Sequence, residues 1–393
     1  MAPALSDFQP QPAPKATAAA QAAIGDGLVA EAQTFADELA VWRHDLHQMP
    51  ELGNNLPQTS AYIRARLDEM DIPHTTLVDG SCVVGLIGAG AAAAAQGNGT
   101  CKDEQAGTVV MLRGDMDALP VVEESGEPFA STNGFMHACG HDMHATALLG
   151  AARLLKAREA ELVDANATVK LLFQPGEETF EGARAAIADG LLQNPRPQAA
   201  FAMHVNSQSP LGLVLYGSPA LSGVYGFRIT LQGKGGHGSS PEICIDPITA
   251  GVHVHLALQE LISREVPAAK EVALTVGKFA GGLAANVIPD TCVLEGTLRG
   301  FDVELMELKT RIAEVVNGVA ATYRTPATIE TLSDVPPLVL DSDMTQASLG
   351  YVGAVLPKAA FLPLFHAMAS EDFALISSEI PSAYFTVGAA VTD

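Results

Sequence analysis

Three short apolar runs, separated by stretches with helical periodicity, constrain the fold of this chain more than any other feature. Thr108–Leu112, Thr168–Phe173 and Ala199–Met203 are dominated by apolar and β-branched residues, the composition of strands buried on both faces. Between them Ala145–Arg158 and Ala183–Leu192 read as helices. In the first of these, Met143, Ala147, Leu148, Ala151, Leu154 and Leu155 recur at helical spacing and Asp142 stands where an N-cap would. Strands alternating with helices predict an α/β fold with a mainly parallel sheet covered on both faces. In such sheets, sites form outside the carboxyl ends of the strands. Asp115, Asp117, Glu177, Glu178 and His204 all fall at those ends.

A second feature points to the chemistry of that rim. Met136-His-Ala-Cys-Gly-His-Asp-Met-His144 packs His137, His141, His144, Cys139 and Asp142 into nine residues. A cysteine just ahead of a helix N-terminus has its thiolate favoured by the helix dipole, which suits a metal ligand. Cys, His, Glu and His supplied by one rim make a mixed S/N/O site for zinc, manganese, cobalt or nickel. The adjacent carboxylates Glu177 and Glu178 allow one to bind metal while the other takes a proton from activated water. The competing reading, a hydrolase with Cys139 as nucleophile, needs a base beside the thiol. His141 and Glu178 are better accounted for as fellow ligands.

The length of 393 residues allows two domains. A net charge of −23 argues against nucleic acid or an anionic membrane surface as partner. No window approaches about 18 unbroken apolar residues. Five scattered cysteines fit a reducing, cytoplasmic setting better than a disulfide framework. Residues 1–28, rich in Ala, Pro and Gln, read as a disordered extension without the features of a secretory signal. Helices are expected over Glu31–Gln48 and Gln58–Met70, and a strand over Ser81–Ile87. Gly85-Leu-Ile-Gly-Ala-Gly90 lacks the spacing of a nucleotide loop, and Gly88–Gly107 reads as a low-complexity loop insertion with no function. After Gly217 the order becomes strand 224–231, helix 246–264, strands 272–279 and 291–299, helix 303–323 and strand 327–332. This βαββαβ series is the split, ferredoxin-like arrangement of an inserted domain. The expected division is 29–217 with 334–393 for the catalytic domain and 218–333 for the insertion. Within the insertion, Arg299 offers bidentate binding to a carboxylate, and His237 or Asn286 could stabilise an oxyanion. His253 and His255, two apart on a helix, read as structural.

These motifs together carry a resemblance running from about Trp42 onward. Arg43-His-Asp-Leu-His47 with Pro50-Glu-Leu-Gly53, Arg113-Gly-Asp-Met-Asp-Ala-Leu-Pro120, His137-Ala-Cys-Gly-His-Asp142, Gln174-Pro-Gly-Glu-Glu178, Gly235-Gly-His237, Asn286-Val-Ile-Pro-Asp290 and Ser370-Glu-Asp-Phe373 occur in this order. The chain resembles the M20 metallopeptidase family, specifically its amidohydrolase branch of aminoacylases, hippurate hydrolases and auxin-conjugate hydrolases. The resemblance implies a zinc-peptidase-like catalytic domain with a lid that also forms a homodimer. It matches Cys139, His141, Glu178 and His204 to ligands of one or two divalent metals, Glu177 to the general base and Asp117 to the acidic residue supporting the site. It matches His237, Asn286 and Arg299 to substrate-binding positions on the lid, with the histidine reaching the partner's site. The implied reaction is hydrolysis of an N-acyl amino acid by metal-bound hydroxide. Family members carry a fifth ligand, a histidine after the strand matching Ala383–Val387. The sequence given stops at Asp393, before that position, and His366 does not match it. The expectation from this departure is one metal held poorly or two incompletely, with weak or no activity, or a relative that keeps only the fold.

Overall fold

The computed structural model describes residues 27–96, 101–302, 304–363 and 365–390. The chain forms two compact units. The first takes the chain up to Ala220, Val339–Phe365 and the stretch from Asp372. The second is Leu221–Leu338 with His366–Glu371, so the chain returns to it briefly before finishing in the first.

The first unit begins with α1 (Gly27–Gln33), α2 (Ala36–His47) and α3 (Pro57–Glu69), followed by β1 (His74–Leu77) and β2 (Cys82–Gly88). Next come α4 (Ala89–Gln96), α5 (Asp103–Ala106), β3 (Thr108–Asp115), α6 (His141–Lys156), α7 (Glu159–Asp164) and β4 (Ala167–Gln174). Then follow α8 (Gly182–Ala188), β5 (Ala199–Pro210) and β6 (Leu213–Leu215). The chain comes back through α11 (Ser342–Val355), β13 (Ala360–Leu362), α12 (Phe373–Ser377) and β14 (Ser382–Ala390). Its sheet runs β1-β2-β4-β3-β5-β14-β6-β13. The middle of it, β4-β3-β5-β14, is parallel, as the alternation of elements predicts. β4 is buried from Thr168 to Gln174, which explains its near-continuous apolar sequence. Leu149, Leu171 and Phe173 pack with Trp42, Leu46, Ile63 and Leu67 from α2 and α3 in the main core.

Three local expectations change. The helix expected over 31–48 breaks at Thr34–Phe35, where the Thr34 hydroxyl donates to the Glu31 carbonyl at 2.7 Å. Side-chain bonding of this kind competes with helix continuation. The Ala/Gly tract is not a bare loop: Ala89–Gln96 is helix α4. Ala is the best helix former, and here Ala94 packs with Cys101, Ala106 and Val109 while the Gly90 amide donates to Thr168 Oγ1 at 2.8 Å. Residues 97–100 of the tract, and the N-terminal stretch before Gly27, lie outside the described residues. Finally, Asp142 is not an N-cap. Gly140 holds that position and α6 starts at His141, because the Asp142 carboxylate is engaged by Arg43 and His47 of α2.

The second unit follows the βαββαβ order through β7 (Gly223–Gln232), α9 (Pro247–Glu265), β9 (Val272–Gly281), β11 (Thr291–Gly300), α10 (Leu308–Thr322) and β12 (Ala327–Val335). A small ribbon, β8 (Gly236–His237) with β10 (Val287–Ile288), is added to it. The sheet order β12-β7-β11-β9 is antiparallel throughout. Phe227, Ile229 and Leu294 close a separate core against Val254, Leu258, Ile312 and Val316. α9 starts where the sequence predicts, with Asp246 accepting the Ile248 amide at 2.9 Å and Pro247 in the first turn. At the base of the unit Leu221 bridges both Leu338 and Ala367. No helix among the described residues is long and apolar enough to cross a membrane.

Leu171 is fully buried in the middle of β4. Leu171→Ala is expected to cost about 2–5 kcal/mol through lost burial and the cavity left behind, measured by equilibrium urea unfolding.

Candidate metal centre

β3, β4 and β5 deliver the site residues at their parallel carboxyl ends. Beyond β3, the Asp117 carboxylate accepts the Glu177 amide on Oδ1 and the Glu178 amide on Oδ2, each at 3.0 Å. One side chain thereby fixes the turn that carries both glutamates. The turn needs Gly176, whose φ is +64° and where an added Cβ would lie 2.2 Å from Asn54 Oδ1. A second positive-φ residue, Gly140 at +93°, separates Cys139 from His141 and lets α6 begin directly after the thiol. His204 stands within β5, paired in register with Thr386 of β14.

The donor atoms converge. Cys139 Sγ lies 3.3 Å from His204 Nε2. His141 Nε2 lies 3.8 Å from Asp115, from Glu177 and from Glu178. Its Nδ1 is 3.4 Å from Asp117. Cys139, His141 and His204 form one group of potential ligands with donor atoms within 4.8 Å of one another, and His141, Glu177 and Glu178 form another. His141 is fully buried, yet neither ring nitrogen has a hydrogen-bond partner, and Glu178 Oε1 is likewise buried without one. Each such atom costs about 1–3 kcal/mol unless something compensates it. A divalent cation taking a thiolate, two imidazoles and a carboxylate would do so, and the residues present fit one.

The electrostatics agree. Burial alone would raise the Cys139 thiol, but His141 and His204 outweigh it and bring it below its ordinary value. Burial opposes protonation of His204, and the Cys139 thiolate overcomes this and raises it to about 9. Each of the two therefore favours the charged form of the other. Burial raises the Glu178 carboxyl. Burial likewise opposes ionisation of Asp115, but Arg113, His141 and His144 hold it well below the usual range.

Cys139, His141, Glu177, Glu178, His204 and Asp117 are thus brought together in the first unit. His237, Asn286 and Arg299 belong to the second. There the ribbon joins His237 to Val287 and the Gly238 amide to the Asn286 carbonyl at 2.8 Å. Arg299 lies eight residues along β11 from Thr291, donating to the Met368 carbonyl and the Ser370 hydroxyl, neutral acceptors that do not cancel its charge. His366 stacks on Phe301 with centroids 3.6 Å apart and pairs with Glu271, all within the second unit. His253 stacks on Tyr323, in keeping with a structural role. His137 is buried without a partner on either nitrogen, and burial lowers it to about 4. The supporting groups that the sequence left unassigned are Arg113, His144 and Asp372; Asp115 was placed on the rim without a role. Their only signal is position beside motif residues.

The matches to known proteins cover most of the chain. Residues 111–392 match the model of peptidase family M20/M25/M40. The chain belongs to this family. An IAA-amino acid hydrolase, ILR1-like 4, of Arabidopsis thaliana is 37% identical over 92% of this chain and 79% of that protein. An N-acetyl-L-cysteine deacetylase of Bacillus subtilis (strain 168) is 36% identical over 90% of this chain and 81% of that protein. Among solved structures, a dinuclear metal-binding peptidase of the M20 family from Bacillus subtilis superimposes with a TM-score of 0.72 at 30% identity, covering 92% of this chain and 91% of that one. As a member of this family the chain is a metal-dependent amidohydrolase.

Two expectations follow from the geometry around α6. Gly140→Ala would place a Cβ 2.6 Å from Val205 Cγ2 at a φ that L residues avoid. It should destabilise the metal-free protein by about 1–2 kcal/mol or more and weaken metal uptake, read by thermal melts and metal titration. The second concerns His47, buried between Asp142 at 2.8 Å and Glu123 at 3.1 Å, with Arg43 on the same Asp142 oxygen and the His137 ring 6.1 Å away. The Asp142 hydrogen bond raises His47 above its ordinary value against the effect of burial, with Glu123 adding to it. A raised folded value means that the stabilisation is fully present below about pH 6.5, the ordinary value, and is lost as pH rises through the higher value of the folded state. The stability gap between wild type and His47→Gln should therefore be wider at pH 6 than at pH 9, measured by thermal unfolding.

Proposed function

We propose that this enzyme hydrolyses the amide bond of N-acyl amino acids, releasing a carboxylic acid and a free amino acid. The observation that carries this reading is the pair Glu177–Glu178, pinned through both amides by Asp117 beside the Cys139, His141 and His204 donors. Cys139, His141, Glu178 and His204 would hold one or two divalent ions, zinc, manganese, cobalt or nickel, which when bound lower the pKa of water and polarise a carbonyl. Glu177, buried at the edge of that group, accepts the proton of the attacking water and returns it to the leaving amine. An acylated amino acid as substrate is supported by the names of the two relatives described above.

The second unit supplies recognition. Arg299 binds the substrate carboxylate, and His237 with Asn286 stabilises the oxyanion. The ribbon and Arg299 lie at opposite ends of β11, roughly 26 Å apart at about 3.3 Å per residue. One lid is therefore poorly suited to present all three to one small substrate. This supports a homodimer in which His237 serves the partner's site. The five cysteines, all unpaired, support a cytoplasmic setting.

Removal of metal by a chelator should abolish hydrolysis of N-acyl amino acids, and zinc, manganese or cobalt should restore it. Glu177→Gln should lower kcat about 10²–10⁴-fold with metal content unchanged. Activity that survives complete metal removal would reject the reading.

A further inference from the structure

His144 looks like a ligand in the sequence, the third histidine of the Met136–His144 stretch, but its surroundings give it another task. It is buried one turn into α6. Its Nδ1 meets Asp115 Oδ1 at 2.6 Å, and its Nε2 accepts the Val205 amide at 2.9 Å. An amide N–H only donates, so Nε2 carries the ring's lone pair and Nδ1 carries the proton given to Asp115. The imidazole is neutral and its one lone pair is spent. No donor is left for a metal.

The bond to Val205 has a structural reason. The ladder between β3 and β5 ends at the pair Arg113↔Ala202, three residues short of Val205, so the Val205 amide turns to a side chain. The carbonyl of the same residue receives His204 Nδ1 at 2.6 Å, which leaves His204 Nε2 directed at Cys139 Sγ. The His144 and His204 rings also meet edge to face, with centroids 4.5 Å apart. A metal-binding histidine is oriented by whatever holds its other nitrogen; here that group is a backbone carbonyl, itself fixed through the adjoining amide.

We propose that His144 is a positioning residue: its Nε2 accepts the Val205 amide and thereby holds the carbonyl that orients His204 towards the metal site. The inference rests on the metal-centre reading above and adds a role within it. It separates two halves of the His144 contact that substitution can address one at a time. In His144→Asn the side-chain amide still reaches Asp115 from the Nδ1 position but loses Val205. In His144→Gln the carbonyl oxygen still accepts the Val205 amide from the Nε2 position but the Asp115 bond is lost.

The test is zinc affinity by competition with a chromophoric chelator, on full-length protein verified as folded by near-UV circular dichroism without metal. The cobalt(II) spectrum is recorded alongside. His144→Asn should bind zinc about 10–100-fold more weakly, whereas His144→Gln should stay near wild type with an unchanged cobalt spectrum. Equal losses in both variants, or wild-type affinity in His144→Asn, would overturn the role of the Val205 bond. A cobalt spectrum that changes in both variants would make His144 a ligand and overturn the proposal. A wild-type chain that takes up no zinc would remove the metal-centre reading and this inference with it.

Discussion

The buried guanidinium of Arg113 is the interaction on which the rim depends. It is 4% exposed and reaches Asp115 at 2.5 Å, Gln174 Oε1 at 3.0 Å and Asp372 at 3.2 Å. A charge in such a place costs several kcal/mol unless every partner is present, so these groups have little freedom to move independently. Asp372 extends the frame, accepting Gln174 Nε2 at 2.7 Å and the Ala183 amide at the start of α8 at 2.8 Å. Asp115 extends it the other way to His144 and so to β5. The ends of three parallel strands and two helices are therefore held by one connected set of hydrogen bonds. The turn bearing Glu177 and Glu178 follows directly from Gln174 of that set and is itself pinned by Asp117.

The same economy of charge explains why a strongly acidic chain can hold the Cys139 thiol below its ordinary value. Around Cys139 the local field is set by His141 and His204, not by the net balance of the surface. Burial would make both a thiolate and an imidazolium unfavourable alone; placed 3.3 Å apart, each makes the other tenable.

What was legible in the sequence followed from local composition. The buried strands announced themselves by apolar runs, and Glu177, Glu178 and His204 by their place just after or at the ends of those runs. The four-stranded insertion was equally plain, because each of its elements carries its own periodicity. The errors arose where a distant partner outbid local preference. Asp142 reads as a cap until Arg43 and His47, 99 and 95 residues away, take its carboxylate. Ala89–Gln96 reads as a featureless tract until the core beneath it is known. His141 and His144 are three residues apart and indistinguishable by type, and only Asp115 and Val205, 29 and 61 residues distant, tell them apart. Spacing finds the donors; it does not assign them.

The bridge of Leu221 to Leu338 means that the polypeptide departs into the second unit and returns from it at adjoining backbone positions. To the rest of the chain the stretch Leu221–Leu338 then behaves as a loop with a closed stem, against which Ala367 also pairs. The entropy of closing a loop grows only slowly with its length, by about 0.6 kcal/mol for each doubling. Residues can be gained, lost or exchanged above that stem at small cost to the eight-stranded sheet of the first unit. Sequence change can then accumulate in the second unit while the sheet beside Cys139, His141, Glu177 and Glu178 keeps its packing.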